Sequence, residues 1–152
     1  MGSLIVDIYN AIAGVGINIE GTPIVGRVLA DTSTVVNSTP LRIISPLSDK
    51  NEGRKAIKMT FGNQTQVDWT ITDLLLYNKT TDGSGIENDM YWLVKYQGAY
   101  VDAMRAMYKL GYKQHVQIVS IDIEIGVFRF PINGDKFYHG AKATLVVHEI
   151  IP

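Results

Sequence analysis

Between Val67 and Met107 the hydrophobic period changes once, from two residues to three or four. That switch restricts the chain to folds that join sheet and helix. Val67, Trp69 and Ile71 alternate with Asp68, Thr70 and Thr72, the pattern of a strand with one buried face. Leu74, Leu75 and Leu76 break the alternation, which requires either a bulge or burial on both faces. Asp73 falls on the inward phase, so the expectation is a bulge that re-aims it. A polar loop from Asn78 to Asp89 follows, too rich in Asn, Thr, Gly and Ser to pack. Asn88 or Asp89 should cap a helix from about Met90 to Leu110, closed by Gly111 with Lys109 near its negative end. Leu93, Tyr96, Tyr100, Ala103, Met107 and Leu110 mark its inward face.

The flanking segments fill in the same architecture. Ser3 can cap a short helix over Leu4 to Ala13 that Gly14 and Gly16 end. Ile17, Ile19 and the stretch from Ile24 to Leu29 read as extended, and Asp31 to Pro40 as a strand edge or an excursion. Leu41 to Ile44 is a strand closed by Pro46. Ile57, Met59 and Phe61 alternate with Lys58 and Thr60, a half-buried strand that should pair with Val67 to Ile71 across a turn at Gly62-Asn63. Ile121, Ile123 and Ile125 alternate with Asp122 and Glu124, Asn133-Gly134 marks a hairpin, and Ala141 to Ile151 is the last strand. The expected fold is α+β: one domain over residues 1–152, a mostly antiparallel sheet with a short N-terminal helix and one long central helix packed on it.

Composition narrows the function. A chain of 152 residues buries about 70% of its unfolded surface without staples. Charged residues make up only 19% of it, against about 25% in ordinary domains, and Thr, Asn, Ser and Gln replace them. A surface of that kind dehydrates more readily against another subunit. The net charge of −1 and the dilution of Lys50, Arg54, Lys55 and Lys58 by Glu52 and apolar positions leave no phosphate-neutralising face, so nucleic-acid recognition is not expected. The absence of cysteine excludes disulfides, thiolate metal sites and a Cys nucleophile. Asp7, Asn10 and glycines interrupt the apolar N-terminal stretch, so neither a secretion signal nor a membrane span is expected. The sequons at Asn37, Asn63 and Asn78 then read as turn residues, and a cytoplasmic site of synthesis follows.

No catalytic, cofactor or metal constellation emerges. Gly14-Val15-Gly16 follows a helix and lacks the third glycine of a dinucleotide fingerprint, and Thr22 stands where a phosphate loop needs Lys. His115, His139 and His148 have no partner at i+4, and Asp82 to Glu87 lacks the alternating oxygens of a calcium loop. Asp122 and Glu124 share a strand face where two carboxylates can act as acid and base, but alternation with isoleucines makes that face solvated. Tyr91, Trp92, Tyr96 and Tyr100 suggest a stacking platform for a sugar or base, against which their helical spacing favours packing. Two further classes stay open. One is a small-ligand domain with a pocket lined by Tyr96, Tyr100 and Trp69. The other is an enzyme with strongly shifted acidic or His groups in a cleft.

Three blocks carry a likeness. They are Trp69-Thr70-Ile71-Thr72-Asp73-Leu74-Leu75-Leu76; Leu93-Val94-Lys95-Tyr96 with Ala99-Tyr100; and Phe137-Tyr138-His139-Gly140-Ala141-Lys142-Ala143-Thr144-Leu145-Val146-Val147. Together with the order of elements they resemble the small neck and tail proteins of tailed phages, most closely the tail terminator group. Residues 26–46 match no feature of that group. The resemblance implies a structural virion protein without enzymatic activity or cofactor, made in the host bacterial cytoplasm. It implies a homo-oligomeric ring, a hexamer, at the head-proximal end of the tail tube, touching the tail tube protein and a head-completion or connector protein. Such a ring needs a heterologous contact that closes by rotation. Exposed strand edges and the loop carrying Asn78, Thr80, Thr81, Asp82, Gly83, Ser84 and Gly85 are the expected interface.

Overall fold

The computed structural model describes residues 4–28, 39–45, 57–81, 86–111, 115–130 and 136–151. Two helices pack on a mostly antiparallel sheet, an α+β arrangement. Helix α1 (Ile5–Gly14) leads into a hairpin of β1 (Ile17–Ile19) and β2 (Thr22–Ile24). Glu20 and Gly21 join them with φ of 52° and 85°, the two left-handed residues of a type I′ turn. Next come β3 (Gly26–Val28), β4 (Leu41–Ser45), β5 (Lys58–Thr60), β6 (Thr65–Lys79), α2 (Ile86–Ala106), β7 (Val116–Arg129) and β8 (Phe137–Ile151). The main sheet runs β3-β4-β6-β8-β7, and β5 pairs with β6 beside β4. β3 pairs with β4 in parallel; the other neighbours are antiparallel.

β6 is the spine of this sheet, and its residues explain why. Val67, Ile71, Asp73 and Leu75 are buried on the side that the helices cover, while Leu74 and Leu76 are buried on the other. The triple leucine therefore marks a strand covered on both faces. Ile8, Ile12, Leu93, Tyr96, Tyr100 and Met104 close the larger core over Ile71, Leu75 and Leu145. Ile43, Leu74, Leu76, Phe128, Phe130 and Tyr138 form a smaller cluster on the opposite face. Gly140 of β8 sits where an added Cβ would lie 2.1 Å from the Leu75 carbonyl oxygen, so only glycine allows these strands to approach.

Several expectations need correction. Asp73 is not re-aimed by a bulge: the strand is regular there, and the register slips later, between Leu76 and Asn78. Asp73 keeps its inward phase because a buried cation meets it. β6 continues through Lys79 and α2 starts at Ile86, so the expected loop is shorter at both ends. α2 also ends four residues early, at Ala106; Leu110 and Gly111, with φ of 50° and 81°, close the turn that follows. Its buried seam passes through Met104 and leaves Met107 exposed, because 3.6-residue spacing from Tyr100 reaches Met104 first. Met59, Ile57 and Phe61 are exposed, although β5 pairs with β6 as expected. Ser3, Asp31 to Ser38, Lys50 to Ala56 and Asn133-Gly134 lie outside the described residues.

Candidate interaction surface

A buried ion pair fixes the position of every element around it. Arg42 on β4 and Asp73 on β6 are both fully buried side chains, 2.7 Å apart at Nη2 and Oδ2. Register places them one step apart on the helix-covered face, since Ile44 lies opposite Asp73 and Arg42 opposite Leu75. Arg42 Nε donates to Asp73 Oδ1 at 2.9 Å, Nη2 to Ile12 O at 3.0 Å, and Nη1 to Ile24 O at 3.2 Å and to Val15 O. The guanidinium thus holds the C-terminal carbonyls of α1 and the end of β2, where a cation also complements the helix dipole. Tyr100 OH on α2 donates to Asp73 Oδ2 at 2.8 Å, which ties the long helix to the same centre. Burial lowers the affinity of Arg42 for its proton, but the charge and hydrogen bonds of Asp73 outweigh this and raise its pKa. Burial, then the nearby Asp73 charge, raises the pKa values of Tyr96 and Tyr100 against the opposing effect of Arg42.

The N-terminal end of α2 is fastened by a second polar group. Asp89 is fully buried; its Oδ2 lies 2.6 Å from His139 Nδ1 on β8, and its Oδ1 accepts from Asn78 Nδ2 at 3.1 Å. Asn78 and His139 face each other across the ladder. The register slip at Leu76/Asn78 lets Tyr77 and Asn78 both reach α2: Tyr77 stacks on Trp92 at 4.0 Å between centroids, and Asn78 reaches Asp89. Burial, then Asp89, then Glu20 raise the pKa of Tyr77. Trp92, Tyr96 and Tyr100 extend the row at 5.8 and 5.9 Å. Tyr96 and Tyr100 are buried in the core, and Trp69 Nε1 donates to Glu149 Oε1 at 2.9 Å. The pocket expected among these three side chains is therefore filled by them.

The expected interface residues divide. Asn78 is held inside β6, whereas Thr80 and Thr81 are exposed and line a hollow of about 260 Å³ with Lys79, Lys136 and Phe137. Asp82, Gly83, Ser84 and Gly85 lie outside the described residues. Asp122 and Glu124 are exposed on β7, with Glu124 2.9 Å from Lys142 Nζ. His148 Nδ1 lies 2.6 Å from Asp68 Oδ1, far from Asp89 and His139 in the ladder. Among the described residues no three His, Asp or Glu side chains gather as metal ligands. No helix there is long and apolar enough to cross a membrane.

Apolar exposure is concentrated in two places that sequence reasoning missed. On α2 and the turn that follows it, Tyr91, Val94, Val101 and Tyr108 recur at steps of three and seven on the outward side, all exposed. Below them a groove of about 340 Å³ runs between α2 and β7, lined by Val101, Arg105, Tyr108, Val119, Ile121 and Ile123. Beside it the outer border of β7 has no paired strand among the described residues. At the other end of the sheet, Ile57, Met59 and Phe61 are 54%, 50% and 76% exposed. The repeat Tyr91-x₂-Val94-x₆-Val101-x₆-Tyr108 was the available signal, hidden by the stronger inward seam. A separate hollow of about 790 Å³ lies between the end of α1 and the second half of α2, lined by Ala11, Gly14, Asn18, Asp102, Ala103 and Met107 among others. No family model and no curated protein matches this chain.

Proposed function

We propose that this chain is a structural protein of a tailed phage or phage-derived particle that forms a homo-oligomeric ring, a hexamer, at the head-proximal end of the tail tube. The likeness of the three sequence blocks to neck and tail proteins, and of the element order to tail terminators, supports that place in the particle. The observation that carries self-assembly is the border of β7 (Val116–Arg129): among the described residues no strand pairs with its outer side, where only Ile118 N–H is taken up, by Tyr108 O, and exposed Val101, Tyr108 and Val119 lie beside it. A long unprotected edge beside uncovered apolar side chains is a hazard in a monomer and a joint in an assembly. The tail tube protein and a head-completion or connector protein are the neighbours in this reading.

Negative-stain electron micrographs of the purified chain test it. Closed rings of uniform diameter are expected, and removing residues 80–85 is expected to leave folded protein that no longer forms them. Fields of small separate particles from the intact chain would overturn the reading. Unchanged rings after the deletion would remove the loop from the interface. The 790 Å³ hollow beside α1 favours a second reading, a small-ligand domain, which a retained metabolite in native mass spectra would support.

A further inference from the structure

We propose that the outward face of α2 docks on the same face of a second copy, the two helices running antiparallel about a two-fold axis between Gly98 and Val101. This goes beyond the ring reading, since an isologous contact closes at two chains and uses none of the β7 border. Tyr91, Val94, Gly98, Val101 and Arg105 follow one another at alternating steps of three and four, the spacing of a seam that packs on another helix. All five are exposed. They lie apart from the inward seam of Leu93, Tyr96, Tyr100 and Met104, so one helix carries two seams. The inward one holds the helix to its own sheet; the outward one is left uncovered.

Gly98 is the residue that the chain's own packing does not explain. Glycine weakens an exposed helix interior, and a Cβ at this position would meet no atom within 4 Å. A second helix crossing here gains from the missing side chain, because the two backbones approach more closely. Setting Gly98 of one copy against Val101 of the other fixes the register. Val94 then lies opposite Arg105, whose aliphatic stem covers it, and Tyr91 lies opposite the turn that carries Tyr108.

Charges agree with that register. Between the Val94–Arg105 and Gly98–Val101 layers, Lys95 of one copy flanks Asp102 of the other, and the two-fold axis makes this pair twice. Both residues are exposed. Lys95 Nζ already lies 2.9 Å from Glu20 Oε1, and an ammonium has three N–H groups to share between two carboxylates. A parallel two-fold pairing would instead set Arg105 against Arg105 within the seam, which is unfavourable.

Oxidative cross-linking tests the pairing, because the natural chain has no cysteine. V94C and R105C are each checked for folding by circular dichroism, mixed in equal amounts and oxidised. V94C joined to R105C should exceed either homodimer several-fold, since the register sets Val94 roughly 16 Å along the helix from its own copy, too far for a disulfide. Homodimers in equal or greater yield, or no covalent dimer at all, would overturn the pairing. G98Q added to both chains separates the contact from the fold. It should raise the urea midpoint, as a glycine leaves a helix interior, and lower the yield of mixed dimer. An unchanged yield would count against the pairing. Closed rings without mixed dimer would remove this joint and leave the ring reading standing; mixed dimer without rings would do the reverse.

Discussion

Arg42 uses all five of its N–H groups inside the protein, on Asp73 and on the carbonyls of Ile12, Val15 and Ile24. A buried charge is tolerable only when it is paired and its remaining donors are satisfied, and this one meets both conditions. Arg42→Met leaves Asp73 as an uncompensated buried charge and uncaps α1. Urea unfolding should show a loss of about 3–5 kcal/mol. Replacing both partners, with Arg42→Met and Asp73→Leu together, should recover part of it, since no orphan charge then remains. If the single and double variants unfold alike, the pair is not the joint described. The inward phase of Asp73 was readable from Val67, Trp69 and Ile71. Its partner was not, because alternation reports which face a residue takes and not which strand lies beside it.

Element boundaries show why local signals went wrong at α2. Asn88 and Asp89 look like caps, but Asp89 is already in the first helical turn, where His139 and Asn78 claim its carboxylate. A tertiary contact from a strand fifty residues away outweighed the capping preference. The same helix brings two phenols into the core, and their pKa values rise above the ordinary value near 10. As pH passes about 10, the unfolded chain releases phenolic protons that the folded chain retains. Stability is thus complete below that point and falls as pH rises through it, by about 1.4 kcal/mol per pH unit for each phenol. Tyr100→Phe should reduce this alkaline slope in urea titrations and lose the bond to Asp73. Tyr96→Phe should reduce it at little or no cost near neutrality, since the Tyr96 hydroxyl has no hydrogen-bond partner among the described residues. An unchanged slope in both variants would show that the phenols ionise equally in the two states.

Among the described residues the buried charges are paired, and exposed apolar side chains gather beside β5 and beside β7. The central charges are consumed in fixing α1, α2 and the strands, while Ile57, Met59, Phe61, Val101 and Val119 remain open to a neighbour. The α+β class, the long helix and the hairpins followed from period and turn residues. The candidate site did not, because alternation in β5 gives a face but not whether anything covers it. Low charge content was the one compositional hint, and it pointed to assembly without locating it. Sedimentation equilibrium of the purified chain over a range of concentrations tests self-assembly most directly. A fixed mass at an integer multiple of one chain, six in the ring proposed, is the predicted result; a single-chain mass up to the highest concentration contradicts it.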